Sequence, residues 1–202
     1  MTDAHQALPL DFARAIAEGL LTNLFRTRAV TMGSIAGSIR RGKAEVHDIE
    51  IVAVPKMRVS PGKLTGDLEP DLPYLREILR SEGWHRGPPS KAGAQAPNGP
   101  RYLRLANGDG VQLDLFLVFP PSQWGVVYFI RTGSAEWSRA TVERLHRYGL
   151  KSENGHIVRV ATGETLACDE EESMFAYAHL PYLVPDFRDM TRPETRALFE
   201  GP

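Results

Sequence analysis

The chain of 202 residues has one cysteine, Cys168, so it can form no internal disulfide and no thiolate metal site. No apolar run approaches the ~20 residues that a helix needs to cross a membrane. Residues 1–5 lack the basic and apolar regions of a secretory signal. We therefore expect an intracellular, cytoplasmic protein with no membrane partner.

Neither sign of charge dominates the chain, which has 24 basic and 25 acidic residues and a formal net charge of −1. The distribution is uneven, because the segment from Glu164 onward has three basic and nine acidic residues. Residues 1–163 consequently have 21 basic and 16 acidic residues, a balance of +5. That balance permits a surface that follows a phosphate backbone, although a solvated surface would also account for it.

Hydrophobic periodicity divides the chain near Pro120 into an α/β part and a mostly helical part. Before Pro120, the pattern predicts helices at 9–25 and 72–80 and strands at 30–36, 48–55, 102–106 and 111–119. After it, the pattern predicts helices at 122–130 and 134–147, a small β segment at 149–160 and an acidic helix start at 169–172. Stretches 56–71 and 83–100 are predicted connections, the second a mobile loop, and 107–110 is a predicted hairpin turn.

Three carboxylates are the residues of this chain that are most informative about its chemistry: Asp48, Glu50 and Asp114. A strand has a side-chain period of two, so Asp48 and Glu50 share one face. Each acid lies in an apolar run, where an unpaired charge is costly. If the two runs are neighbouring strands, the acids converge where a divalent cation would make them tolerable, and oxygen ligands suit Mg²⁺. This pattern indicates metal-assisted phosphoryl chemistry, with acids at strand ends on a polar sheet face as the alternative.

A glycine-serine turn, Gly37-Ser38, precedes these acids. Backbone N–H groups at such a turn can bind an anion, and the serine hydroxyl adds a donor. Arg41 supplies a charged fork for phosphate. An ordinary turn with solvated arginines is the alternative, but the position ten residues before Asp48 favours phosphate binding.

A second segment, Thr132-Gly133-Ser134, opens the predicted helix that runs to Arg147, and Thr132 or Ser134 fits an N-cap. The helix and its exit are basic. A solvated helix face is the default explanation for these basic residues, and contact with a nucleic-acid duplex is the more specific alternative. The residues concerned are Arg139, Arg144, Arg147 and Lys151.

Together these motifs resemble the family X DNA polymerases, the group of DNA polymerase beta, and particularly minimal viral-type members that keep only a palm and a terminal domain. The run 37–42 followed by Asp48-Ile49-Glu50 resembles the family's GS-x-RRG…D-x-D palm motif, and Asp114 lies in a strand like its third-carboxylate strand. The segment 132–134 resembles its YFTGS segment. Residues 149–151 and 171–188 resemble its C-terminal end, so the resemblance covers about Leu8 to Asp189.

The resemblance implies an α+β fold in two domains. Residues 1–120 would form a nucleotidyltransferase palm, a mixed or antiparallel sheet with helices on one face. Residues 121–202 would form a small, mostly helical C-terminal domain with a short β segment that binds nucleotide and DNA. A monomer is the default expectation.

The resemblance also implies an enzyme that adds nucleotides from a nucleoside triphosphate to the 3′-OH of a DNA primer on a template, in DNA repair or gap filling. Asp48 and Glu50 would ligate two Mg²⁺ ions, for which Mn²⁺ can substitute. Asp114 would ligate the catalytic ion and accept the hydroxyl proton. The nucleotide would contact Gly37, Ser38, Arg41, Arg131, Thr132, Gly133, Ser134 and Ser138.

The chain departs from the family at several positions. Glu50 stands where the family has a second Asp, and Ile130-Arg131 stand where it has Tyr-Phe, which leaves sugar selectivity and fidelity open. Gln112 replaces a common Arg, and no lyase region precedes the palm, so no lyase activity is expected. Two alternatives remain: a nucleotidyltransferase that acts without a template or on a small-molecule or protein acceptor, and a catalytically inactive nucleic-acid-binding module.

Overall fold

The computed structural model describes residues 7–60, 67–89 and 95–200, which form an α+β fold as predicted. The described helices are α1 Leu10–Arg26, α2 Gly37–Arg40, α3 Leu72–Ser81, α4 Trp124–Thr132, α5 Ala135–Arg147, α6 Glu171–Tyr177 and α7 Pro193–Glu200. The described strands are β1 Leu8–Pro9, β2 Val30–Ile35, β3 Glu45–Val46, β4 Ile49–Pro55, β5 Met57–Val59, β6 Leu68–Pro70, β7 His85–Arg86, β8 Tyr102–Ala106, β9 Gln112–Leu117, β10 Leu150–Glu153, β11 His156–Arg159 and β12 Thr165–Leu166. None of the described helices has the length and hydropathy that a membrane crossing would need.

The chain divides into two units. Unit 1 comprises Met1–Ile35 and Ala44–Phe119, and unit 2 comprises Ala36–Lys43 and Pro120–Pro202. The division after Phe119 lies beside the boundary expected at residue 120. The segment 36–43, expected in the palm, instead belongs to unit 2, because Arg40 and Arg41 hydrogen-bond to Thr132.

A five-stranded mixed sheet in the order β2-β4-β9-β8-β7 forms the centre of unit 1. β4 and β9 are parallel, whereas the other neighbours in the sheet are antiparallel. Ile49, Ile51, Leu113 and Leu115 alternate with the acids along β4 and β9 and are fully buried. Their burial defines one apolar face of the sheet, and the acids consequently belong to the opposite face.

The turn between β8 and β9 is set by Asn107, as the sequence predicts. Its side-chain oxygen accepts hydrogen bonds from the backbone N–H of Asp109 and Val111, at 3.1 and 2.9 Å. Such an Asx interaction closes the turn locally. The closed turn fixes the register of the hairpin, which places Arg104 directly opposite Asp114.

The two predicted connections contain strands that the sequence did not reveal. β5 and β6 both lie inside 56–71 and pair with each other, whereas β7 lies inside 83–100 and pairs with the predicted strand β8. The expectation that these stretches lack strands is therefore wrong, because such short strands depend on pairing partners rather than on periodicity. Residues 61–66 and 90–94, which include part of the predicted mobile loop, lie outside the described residues.

Unit 2 packs its helices around a core of large aromatic side chains. Phe129 of α4, Trp137 of α5 and Phe175 of α6 are 0 to 2% exposed, and the Phe129 and Phe175 rings meet edge to face. The small β segment predicted at 149–160 is the antiparallel pair β10-β11, and the unpredicted strand β12 extends it to a three-stranded sheet. α7 and a short 3₁₀ helix, Pro185–Phe187, had no counterpart in the sequence prediction.

Candidate active site

The sheet of unit 1 brings Glu50 and Asp114 together. They are register partners on the adjacent parallel strands β4 and β9, so their side chains leave the same face at neighbouring positions. Glu50 is half-buried, whereas Asp114 is only 4% exposed. Two carboxylates 64 positions apart in the chain thus face one another because β4 and β9 are parallel neighbours.

Asp114 also faces a cation that the sequence analysis did not identify. Arg104 of β8 donates from Nε to Asp114 Oδ1 at 2.8 Å and from Nη2 to Oδ2 at 2.6 Å. The hydrogen bonds to Asp114 raise the pKa of the Arg104 guanidinium, against an opposing effect of burial. This two-pronged bond compensates a carboxylate charge that burial would otherwise make costly.

Asp48 lies in a bend immediately before β4, two residues from Glu50. Its charge contributes to the raised pKa of Arg104, so it acts electrostatically on the Arg104–Asp114 pair. Among the described residues, no group of three His, Cys, Asp or Glu side chains is arranged to hold a metal ion. Magnesium binding by Asp48, Glu50 and Asp114 therefore stays a prediction, for which the oxygen-only donor set is chemically suitable.

Arg104 was not predicted as a site residue, although the sequence contains enough information to predict its position opposite Asp114. A hairpin closed by 107–110 pairs residue 106 with 112 and, by counting along both strands, 104 with 114. An acid in the centre of a buried strand requires a partner. The combination of these two arguments would have selected Arg104.

The two predicted nucleotide-binding segments of unit 2 lie together. Arg40 Nη1 donates to the Thr132 hydroxyl at 2.6 Å, and Arg41 Nη1 donates to the Thr132 carbonyl oxygen at 2.6 Å. The Thr132 hydroxyl in turn donates to the Tyr128 carbonyl oxygen at 2.7 Å. The side chain of Thr132 is therefore fully engaged in holding the segment 36–43 against α4.

Ser38 has the best geometry for a ligand among the predicted residues of this segment. Its hydroxyl is buried and has no hydrogen-bond partner among the described residues. A buried hydroxyl without a partner is costly unless a ligand or water satisfies it. Gly37, which precedes it, has a φ of +59°, a conformation that favours glycine.

The other predicted nucleotide contacts have structural roles of their own. Ser134 caps α5 by accepting from the Trp137 N–H at 3.2 Å, as the sequence predicts. A Cβ at Gly133 would lie 2.0 Å from Trp137 Cδ1, so packing requires glycine there. Ser138 donates to the Ile130 carbonyl oxygen at 2.7 Å, and Arg131 is exposed. Nucleotide contact by these residues stays a prediction.

A buried ion network anchors the segment 36–43. Glu171 of α6 receives two hydrogen bonds from Arg40, both at 2.7 Å, and two from Arg188, at 2.7 and 3.0 Å. Burial raises the pKa of the Glu171 carboxyl, but the hydrogen bonds from the two guanidinium groups outweigh it and lower that pKa to about 2. The sequence predicted Glu171 only as part of an acidic helix start, and this role was not predicted.

The four predicted DNA contacts differ in their availability. Arg144 donates to the carbonyl oxygens of Ala178 at 2.7 Å and Leu198 at 3.1 Å, so its guanidinium ties α5 to the end of α6 and to α7. Lys151 forms an ion pair with Glu153 at 2.8 Å. The remaining two, Arg139 and Arg147, are exposed on α5.

Neither the models of known protein families nor the curated protein sequences contain a match to this chain. The resemblance to family X polymerases consequently rests on the motifs of the sequence alone.

Proposed function

We propose that this chain is a nucleotidyltransferase that adds nucleotides from a nucleoside triphosphate to a nucleic-acid 3′-OH, in the manner of the family X DNA polymerases. DNA repair or gap filling is the process that such an activity would serve. The supporting motifs are the Gly-Ser turn, the Asp-x-Glu pair and the third acid.

One observation carries the proposal: Glu50 faces Asp114 across adjacent parallel strands, with Asp48 at the head of β4. Neighbouring carboxylates on a sheet that otherwise buries Ile and Leu lower the stability of the fold unless a cation or hydrogen bonds compensate their charge. Arg104 compensates the charge of Asp114. Carboxylate oxygens on adjacent strands are the ligand type that a hard divalent cation such as Mg²⁺ prefers.

Asp48, Glu50 and Asp114 would hold Mg²⁺. When bound, Mg²⁺ would lower the pKa of the attacking 3′-hydroxyl and stabilise the leaving pyrophosphate. We expect Asp114 to accept the proton of the 3′-OH on a carboxylate oxygen. Both of its oxygens accept from Arg104, but each oxygen has a second lone pair, so Asp114 can take the proton with both hydrogen bonds in place.

The motif resemblance assigns the phosphate groups of the substrate to the Gly37-Ser38 turn and Arg41. The buried Ser38 hydroxyl can donate to a phosphate oxygen, and Arg41 brings a positive charge to the same segment. Glu171, through Arg40, keeps this segment in place.

The test compares Asp114→Asn with Asp109→Asn, a control in the exposed turn of the same hairpin. Pyrophosphate release with Mg²⁺, primer and labelled nucleotide should fall at least about 100-fold in Asp114→Asn and stay unchanged in the control. Because Asp114→Asn leaves Arg104 without a carboxylate, Glu50→Gln serves as a second variant, and urea unfolding checks that each is folded. Near wild-type rates in folded Asp114→Asn and Glu50→Gln would refute the proposal.

A second candidate is a nucleotidyltransferase that works without a template or on a small-molecule or protein acceptor. The hydrogen bonds of Arg144 to backbone carbonyl oxygens favour it, because they remove one of the four predicted DNA contacts. Salt-sensitive binding of a primer–template duplex that Arg139→Ala and Arg147→Ala weaken would exclude this candidate.

A further inference from the structure

A cavity of about 240 Å³ lies in unit 1 between the end of α3 and strands β7 and β8. Leu79, Trp84, Leu103 and Leu105 form its apolar wall, and none of them is more than 7% exposed. Its volume is below the roughly 300 Å³ at which pockets begin to hold drug-sized molecules. It therefore suits a fragment the size of one base with its phosphate, and not a complete nucleoside triphosphate.

The rest of the cavity is lined by polar side chains. These are Arg76, Arg80, His85, Arg86 and Asn98, and the described residues of the lining include no Asp or Glu. The three arginines contribute a charge of +3. The acids of the same helical region, Glu77 and Glu82, lie outside the lining.

Arg86 donates from Nε and Nη2 to the Ala96 carbonyl oxygen, at 3.2 and 2.7 Å, so Arg76 and Arg80 are the main donors for an anion. Arg76 Nη2 donates to the Asn98 carbonyl oxygen at 3.0 Å, but Nε is buried and has no partner among the described residues. Arg80 is exposed in the last turn of α3. A guanidinium matches the geometry of phosphate oxygens and stacks on flat rings, which a lysine does not do.

The position of the cavity separates it from the predicted metal site. Side chains alternate along β8, so Leu103 and Leu105 lie on the opposite face of the sheet from Arg104 and Asp114. A ligand in the cavity is consequently not the group that reacts. β7 is an edge strand with His85 and Arg86 exposed, so a longer molecule can continue past the cavity into solvent.

We propose that this cavity binds one nucleotide unit of a single nucleic-acid strand, with the base against the apolar wall and the phosphate among the three arginines. Single-strand binding combines a positively charged groove with aromatic side chains that contact the bases, and Trp84 is the aromatic residue of this lining. A strand fits better than a free nucleotide because the site lies away from the reacting centre and opens at the sheet edge. The proposal depends on the proposed function only in the choice of nucleic acid as ligand.

The test measures the binding of a short fluorescent single-stranded oligodeoxynucleotide by anisotropy at several salt concentrations, without Mg²⁺ or nucleotide. Arg80→Glu should bind about tenfold more weakly than wild type. The slope of log affinity against log salt should become less steep by at least about 0.7, the contribution of one phosphate contact. Arg14→Glu, a matched charge reversal on α1, does not touch the cavity and should bind like wild type.

A second measurement places the ligand. The indole N–H signal of Trp84, assigned through Trp84→Phe, should shift when the oligonucleotide is added to wild type and should respond less in Arg80→Glu. Equal binding by Arg80→Glu and Arg14→Glu, or an unresponsive Trp84 signal, overturns the proposal. So does a nucleoside monophosphate that binds as tightly as the oligonucleotide, because the cavity would then take free nucleotides.

The binding experiment also distinguishes a failure of the proposed nucleotidyltransferase activity from a failure of the proposed strand binding in the cavity. No turnover is involved, so a protein that binds the strand through Arg80 but never incorporates nucleotide would refute only the enzymatic proposal. Incorporation that disappears in Asp114→Asn, together with Arg80-independent binding, would refute only the cavity.

Discussion

The replacement Glu171→Gln tests how the segment 36–43 is held in unit 2. The carboxylate is the only acid that bridges Arg40 and Arg188 among the described residues, and Arg188 is fully buried. A neutral amide cannot match both guanidinium groups. Removing one partner from a buried ion pair costs about 3 to 5 kcal/mol, since the other charge stays buried.

The pKa of Glu171 leads to a similar magnitude. A fall from the ordinary 4.5 to about 2 corresponds to roughly 3 kcal/mol of stability in the ionised form. Because the folded-state pKa is lowered, this contribution is complete above the unfolded-state pKa and is lost as the pH falls through about 2. The stability gap between wild type and Glu171→Gln should therefore be largest above pH ~5 and shrink between ~5 and ~2.

Urea unfolding followed by tryptophan fluorescence and circular dichroism measures this gap. With an m value of about 2 to 3 kcal/mol/M, the midpoint for unit 2 should fall by about 1 M or more at neutral pH. Glu172→Gln, an exposed neighbour on the same helix, is the control and should change stability by less than about 0.5 kcal/mol. A midpoint in Glu171→Gln that matches this control, or a gap independent of pH, would contradict the argument.

Three further predictions concern other positions. Gly133→Ala should destabilise unit 2 by about 3 kcal/mol in urea unfolding, because the new Cβ meets Trp137 Cδ1 at 2.0 Å; an unchanged midpoint would show that the ring can move aside. Arg104→Gln should lower the melting temperature by leaving Asp114 buried without its fork, and Mg²⁺ should restore part of the loss; no effect of Mg²⁺ would count against the metal site. Burial raises the pKa of the Cys168 thiol to about 12, so alkylation at pH 8 should be slow in the native protein and fast in urea, and rapid native labelling would contradict this.

Much of the fold was predictable because local patterns determine single elements. The stripe of apolar residues predicted α1, the Asn107 turn predicted the β8–β9 hairpin, and the serine before α5 predicted its N-cap. In each case the deciding interactions join residues within one or two turns of the chain. Such interactions are visible in a sequence without knowledge of the tertiary fold.

The candidate site was predictable only in part. Glu50 and Asp114 were predictable on the condition that their strands are neighbours, and the register of β4 and β9 meets that condition. Arg104 was not predicted, because the acids alone do not indicate which cation compensates them. The strands β5 and β7 were missed because pairs so short have no periodicity of their own.

By itself, the sequence determined the α+β composition, the boundaries of the longer elements and the positions of the acids. The tertiary structure alone decided that β4 and β9 run parallel, that Arg104 compensates Asp114 and that Glu171 links Arg40 to Arg188. Arg40 and Glu171 are 131 positions apart in the chain. A contact over that distance depends on which surfaces exclude water together, and no local periodicity contains that information.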